Sequence, residues 1–229
     1  MTVAIRVISS MATRQVLAEL AGAWEQRAGC VARIESVGGV DAARRVQAGE
    51  PFDAVVLASD AIDKLVESGA VIAGSKVDLV RSPVAVAVRA GAPQPEISTE
   101  ESLRAAVLSA GRIGYSTGPS GTALMRLFER WGIADEVQPR LVQAPPGVPV
   151  GSLVASGEVA LGFQQLSELI HLEGIAIVGP LPDPVQIITT FSGALCAGSS
   201  QSEAVRRMLA FMASPDADAA KRRHGMEPA

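Results

Sequence analysis

"IRVISSMATRQVLAELAGAW" (residues 5–24) joins a short apolar run to an amphipathic pattern through two adjacent serines. Val16, Leu17, Leu20 and Trp24 recur at helical spacing, so a strand hands over to a helix across a turn holding Ser9, Ser10, Met11 and Thr13. Arg14 stands in the first turns of that helix, two positions before Val16 and therefore well off the stripe that faces the core. Two chemistries fit hydroxyls and a cation at such a junction. The hydroxyls can cap orphan backbone N–H groups, or the turn can hold something negatively charged.

The same grammar runs along the chain. Strand-like runs at 4–9, 32–36, 53–58, 83–89, 112–116, 140–143, 160–164, 175–178 and 186–197 alternate with helical periodicities. Ile62, Leu65 and Val66 mark one helix, and Leu124, Leu127, Phe128 and Trp131 mark another at i, i+3, i+4, i+7. "STEE" (98–101) has capping-box spacing from Ser98 to Glu101. Near the C-terminus Ser214 reads as an N-cap before Pro215 and Asp216, and "KRRHGMEP" places cations in a last turn, with Gly225 beyond it and Pro228 as a stop. This pattern predicts an α/β fold of mostly parallel sheets flanked by helices. In such sheets ligands bind beyond the carboxyl ends of the strands.

Four strand-to-helix junctions are rich in small and hydroxylic residues: "SSMAT" (9–13), "SVGGVD" (36–41), "STGPSGT" (116–122) and "PPGVPVGS" (145–152). Each leaves backbone N–H groups without partners at a helix start, so together they would form an anion cradle. The candidate ligand-binding residues are Ser9, Ser10, Met11, Thr13, Arg14, Gly38 and Gly39, with Thr117, Ser120, Gly121, Thr122, Val148, Gln164 and Gln165. Arg14 offers a bidentate grip on a carboxylate, or is a solvated arginine. Gly38 and Gly39 permit close backbone approach, or a tight turn. Gln164 and Gln165 are neighbours in a half-buried strand, so their side chains face opposite ways. His171 reads as an exposed helix end, His224 as a dipole partner beside Gly225, Asp41 as a first-turn acid and Glu168 as a surface acid.

Composition narrows the classes. The 229 residues are 48% hydrophobic, 19% charged and 3% aromatic, with a formal net charge of −4, which gives no reason to expect nucleic acid or an anionic membrane as partner. Cys30 and Cys196 lie far apart and read as two buried thiols. Neither they nor the two histidines show metal-ligand spacing, and no phosphate-loop or nucleophile-elbow motif is present, so no metal and no cofactor is expected. No run approaches the ~18 apolar residues of a membrane span. "MTVAIRV" reads as the approach to a core strand rather than as a leader, which predicts a cytoplasmic protein, or a periplasmic one if this chain is a trimmed form.

Order and spacing together carry a resemblance. "VISSMATRQVLAELA", "GGVDAARRVQAGEPFDAVVLASD", "GYSTGPSGTALMRLFERWGI" and "VGSLVASGEVALGFQQLSEL" resemble the periplasmic molybdate-binding proteins and, more widely, the two-lobed solute-binding proteins. The resemblance implies two lobes, about 1–83 with 189–229 and about 84–188, joined near "RSPVAVAV" and "VQIITTFSGALCAG", with the ligand in the hinged cleft. It also implies an ABC transporter as partner if the protein is exported. At the positions where that family places oxyanion-binding serines this chain has Ala12 and Gly38–Gly39, and where it places a tyrosine this chain has Gln165. A small organic di- or tricarboxylate therefore fits better than molybdate.

Two functions follow from the resemblance. One is passive binding of such an anion. The other is a cofactor-independent isomerase of an unsaturated tricarboxylate, similar to aconitate isomerase, in which a base removes a proton α or γ to a carboxylate. The base stays open among Ser10, Thr13, Asp41 and a bound water.

Overall fold

Strand β1 (Ala4–Ser10) alternates its side chains between two covered faces: Ile5 and Val7 are buried on one and Ile8 on the other. A computed structural model of the protein describes residues 4–229; residues 1–3, the start of the run read as leading into this strand, lie outside the described residues. After β1 come a 3-10 turn (Met11–Thr13) and α1 (Arg14–Ala28), whose buried stripe is Val16, Leu17, Leu20 and Trp24. Gly29, in the left-handed conformation (φ 62°), ends α1 by donating its N–H to the Glu25 carbonyl. Then follow β2 (Val31–Val37), α2 (Gly39–Gln47), β3 (Ala54–Ala58) and α3 (Ser59–Glu67).

The chain divides into two units, Met1–Ser82 with Thr189–Ala229 and Pro83–Ile188. It passes from the first to the second within β4 (Val77–Arg89). In unit one β1 lies between β2 and β3, parallel to both, with Ser10 level with Val37 and Ser9 level with Val56. All five residues of β3 are buried, as expected of a strand covered on both faces. Leu20, Trp24, Val56, Met208 and Leu209 belong to the core on one side of this sheet, and Val46, Phe52, Val55, Ile62 and Leu65 to the core on the other.

Unit two contains α4 (Glu100–Ser109), β5 (Ile113–Tyr115), α5 (Pro119–Arg130), α6 (Ala134–Val137), β6 (Leu141–Gln143), α7 (Val150–Ser156), β7 (Leu161–Gln165), α8 (Leu166–Leu169) and β8 (Ile175–Pro180). Strand β5 is parallel to both β6 and β7, and β4 is antiparallel to both β7 and β8. Leu124, Leu127 and Phe128 of α5 are buried, and Phe128 meets Phe163 of β7 edge-on at 6.3 Å between ring centroids. The return to unit one runs through β9 (Ile188–Leu195), antiparallel to β3, then α9 (Ser202–Ala213), α10 (Asp218–Arg223) and β10 (Glu227–Pro228), which pairs with β4.

Several local expectations shift. The capping box is Thr99 with Ser102, one residue later than "STEE" implied, because Thr99 rather than Ser98 takes the extended N-cap conformation. Ser214 does not cap: its hydroxyl donates backwards to the Phe211 carbonyl, 2.7 Å away. Its neighbours Pro215–Ala217 form a 3-10 turn before α10. His224 is held by more than the helix end, since its Nε2 lies 2.9 Å from Glu19 Oε2 on α1. Arg223 bonds the same carboxylate and, more than His224, keeps it below the usual glutamate range. Neither cysteine is in a disulfide; Cys196 is buried but Cys30 is only half-buried. Strand β7 is buried at every position, not half-buried.

Candidate functional site

Parallel strands end at the same edge of a sheet, so the register places the helix starts of each unit together. In unit one these are Ser10–Arg14 after β1, Gly38–Asp41 after β2 and Ser59–Asp60 after β3. In unit two they are Ser116–Thr122 after β5, the 144–151 segment after β6 and Gln165 after β7.

The unit-one hydroxyls take different roles. Ser9 is fully buried with its Oγ 2.8 Å from Oγ of Ser36 on the adjacent strand, a cross-strand pair inside the sheet. Thr13, also buried, donates its hydroxyl to the Ser10 carbonyl at 3.0 Å. Ser10 Oγ accepts the Ala12 N–H at 3.3 Å, which leaves the Ser10 O–H to be given elsewhere. Met11 is half-buried in the 3-10 turn. Arg14 is exposed, and its guanidinium makes no hydrogen bond or ion pair among the described residues. A cation at the first position of a helix also sits at the unfavourable end of the helix dipole, so nothing local accounts for it.

Helix α2 starts bare. Gly38 and Gly39 provide no side-chain cap, so N–H groups of its first turn point outward unpartnered by a cap. A Cβ on Gly38 would meet nothing, and one on Gly39 would come no closer than 3.8 Å to Leu57 and 3.9 Å to Ser10 Oγ. Ser10 and Gly39 are therefore neighbours at the sheet edge. Asp41 lies in the first turn of α2 and pairs with Arg44.

In unit two Ser120 is buried with its Oγ 3.0 Å from Ser116 Oγ, and Thr117 and Thr122 are exposed. The N–H groups of Gly121 and Thr122 turn to the Gly118 carbonyl, at 3.0 and 3.2 Å, so the outward donors here are fewer than "STGPSGT" implied. Gly121 is required by contact: a Cβ there would lie 1.9 Å from the Ser116 carbonyl oxygen. Val148 is exposed in the loop before α7.

Gln164 and Gln165 are both buried, 3% exposed each. Gln164 Oε1 accepts the Gly151 N–H of α7 at 3.3 Å, and its amide also bonds the side chain of Glu168. Gly162, on the same face of β7, permits this approach, since a Cβ there would lie 2.4 Å from Val154 Cγ2 of α7. Glu168 corrects the sequence reading. It is half-buried rather than on the surface, and burial pushes its carboxyl up to about 7, the Gln164 bond opposing only part of that rise. His171, three residues on, is exposed as expected. The signals that could have found Glu168 were its place directly after a strand end and the glutamine four residues before it.

Among the described residues no group of three or more His, Cys, Asp or Glu is placed to hold a metal ion, and no helix is long and apolar enough to cross a membrane.

The fold is shared with solved structures of anion binders. The periplasmic molybdate-binding protein of Azotobacter vinelandii superposes with a TM-score of 0.80 over 97% of this chain and 98% of that one, at 21% identity. The sulfate-binding protein SubI of Mycobacterium tuberculosis H37Rv gives 0.81 over 99% and 87%, at 19% identity. A protein of Pseudomonas sp named aconitate isomerase is 40% identical over 230 aligned residues, 98% of this chain and 87% of the relative. The model of the bacterial extracellular solute-binding protein family matches residues 5–227, nearly the whole chain, and the protein belongs to that family.

Proposed function

We propose that the protein binds an unsaturated tricarboxylate and isomerises it, as an aconitate isomerase. One observation carries the reading: the 40% identity to the Pseudomonas protein of that name, which extends over 98% of the chain. The residues of the sheet edges are consistent with it. Arg14, with no partner of its own, is suited to a bidentate carboxylate contact. Within unit one the Ser10 hydroxyl beside the uncapped start of α2 is suited to a carboxylate, and within unit two so is the Thr117–Thr122 turn. The reaction moves one proton along a three-carbon unit and changes the geometry of a double bond. Donors aimed at the carboxylates stabilise the extended enolate formed on the way, so the chemistry needs no metal or organic cofactor.

A second reading, passive binding of a small organic carboxylate with delivery to an ABC transporter, is favoured by the family itself. Proton NMR in heavy water separates the two. With cis-aconitate, appearance of trans-aconitate carrying deuterium is the result expected of the isomerase. A rise in melting temperature with cis-aconitate but no new product is the result of a passive binder.

A further inference from the structure

We propose that Glu168 is the catalytic base that takes and returns the proton in this reaction; the assignment rests on the isomerase reading and names the group which that reading leaves open.

Three observations meet at this residue. First, Glu168 stands at the working edge of unit two, in the turn directly after β7, at the same end of the sheet as the Ser116–Thr122 and 144–151 junctions. Second, it has no cationic partner. It forms no ion pair among the described residues, and α7, β7 and β8 carry no ionisable side chain at all. The Pro83–Arg89 part of β4 carries only Arg89, at its exposed far end, and on its own segment the next titratable groups, His171 and Glu173, are both exposed. Leu166 and Leu169, on the same short helix, pack with Ala85, Ala87, Ile175 and Ile177.

Third, its polar neighbour Gln164 is fixed in orientation. Because Gln164 Oε1 accepts from the Gly151 N–H, the amide nitrogen is the end left to donate to the Glu168 carboxylate. Gly162, on the Gln164 face of β7, lets α7 come this close: a Cβ there would lie 2.4 Å from Val154 Cγ2. A glutamate kept for stability has a cation or full hydration; this one is withdrawn from water and bonded to the Gln164 amide. Its carboxyl titrates at about 7, so both forms are populated near neutrality, as reversible proton transfer requires.

The step balances. The Glu168 carboxylate takes a proton from the methylene carbon of aconitate, and that C–H pair becomes a new C=C to the central carbon. The former π pair moves to the far carbon, in conjugation with its carboxylate. The carboxylic acid of Glu168 then returns a proton to that carbon. No electron enters or leaves, and the double bond has changed place and geometry.

The test uses the whole protein with cis-aconitate in heavy water, followed by proton NMR, with a thermal shift by tricarballylate as the binding readout. Glu168→Gln is expected to lose about 10²–10⁴ in kcat while keeping the tricarballylate shift. Glu168→Asp is expected to recover part of the rate. Gln164→Leu removes a bond that favours the carboxylate, so the rising limb of kcat/KM against pH should move upward. A Glu168→Gln variant within threefold of the parent overturns the assignment and leaves the isomerase reading standing. So does a lost rate with a rising limb that moves in neither Glu168→Asp nor Gln164→Leu, since Glu168 then shapes the site without titrating. A parent protein that forms no trans-aconitate sinks the isomerase reading and this assignment with it.

Discussion

The two sheet edges are built from one pattern, a parallel strand running through a small-residue turn into a helix, yet they treat their polar groups differently. In unit one the edge is open. Gly38 and Gly39 have space above them, the start of α2 has no side-chain cap, and Arg14 reaches solvent with no partner. In unit two the edge is tight. Gly121 is pressed against the Ser116 carbonyl, Ser116 and Ser120 bond each other, and Gln164 is held between α7 and Glu168. An open edge presents donors to a ligand at little structural cost. A tight, apolar edge changes the ionisation of the groups it encloses, and that is where a proton-transfer group can be tuned.

Substitution can break this contrast. The largest effect should come from adding one methyl to each edge. Gly121→Ala puts a Cβ 1.9 Å from a backbone oxygen, so the β5–α5 junction must move, and urea unfolding should show a loss of about 3 kcal/mol or more. Gly39→Ala meets nothing closer than 3.8 Å and should change stability by less than about 0.5 kcal/mol. Equal losses at the two positions would mean that the edges do not differ in packing.

Glu168 gives the next largest effect, and its sign is fixed by the direction of the shift. Folding raises this carboxyl from the usual 4.5 to about 7, so the folded state binds the proton more tightly than the unfolded one. Stability from this group is therefore complete below about pH 4.5 and is lost as pH rises through 7. Glu168→Gln should equal the parent at pH 4 and exceed it at pH 8, by up to about 3 kcal/mol in urea unfolding. A gap that does not change with pH would show that burial does not penalise the charged form.

Arg14→Ala should weaken binding of a tricarboxylate by about tenfold or more in calorimetry. Because Arg14 has no partner and sits at a helix start, the same variant should melt no lower than the parent. Ser9→Ala should do the opposite. Its hydroxyl pairs with Ser36 inside the sheet, so the variant should lose about 1–2 kcal/mol of stability and bind as the parent does. If Ser9→Ala weakens binding as much as Arg14→Ala, the division between buried and presented hydroxyls in unit one is wrong.

The order of strands and helices was legible because local periodicity carries it. The run at 5–24 announced both β1 and α1, and the i, i+3, i+4, i+7 pattern announced α5, because the stripe that packs on the sheet is written in the side chains themselves. Caps were less legible: a serine one residue away offers the same hydroxyl, so Ser98 and Ser214 were read where Thr99 and the Phe211 carbonyl are used. The candidate residues were readable as types at strand ends, but not in their employment. Ser9, Ser10 and Thr13 look alike in sequence, and only register and burial give Ser9 to Ser36, Thr13 to the Ser10 carbonyl, and the Ser10 oxygen to the Ala12 N–H.

The sequence by itself determined the α/β order, the helix starts at the strand ends, and which residues there have donors to offer. These depend on neighbours within a few positions, where backbone geometry and periodicity are local. Tertiary structure alone decided the state of Glu168. In sequence it is an ordinary acid after a glutamine-rich strand. Its proton affinity is set first by burial, and then by a glutamine whose other end is tied to a helix thirteen residues earlier in the chain. Desolvation sums over everything that excludes water from a group, so it cannot be read from the residues beside that group in the chain.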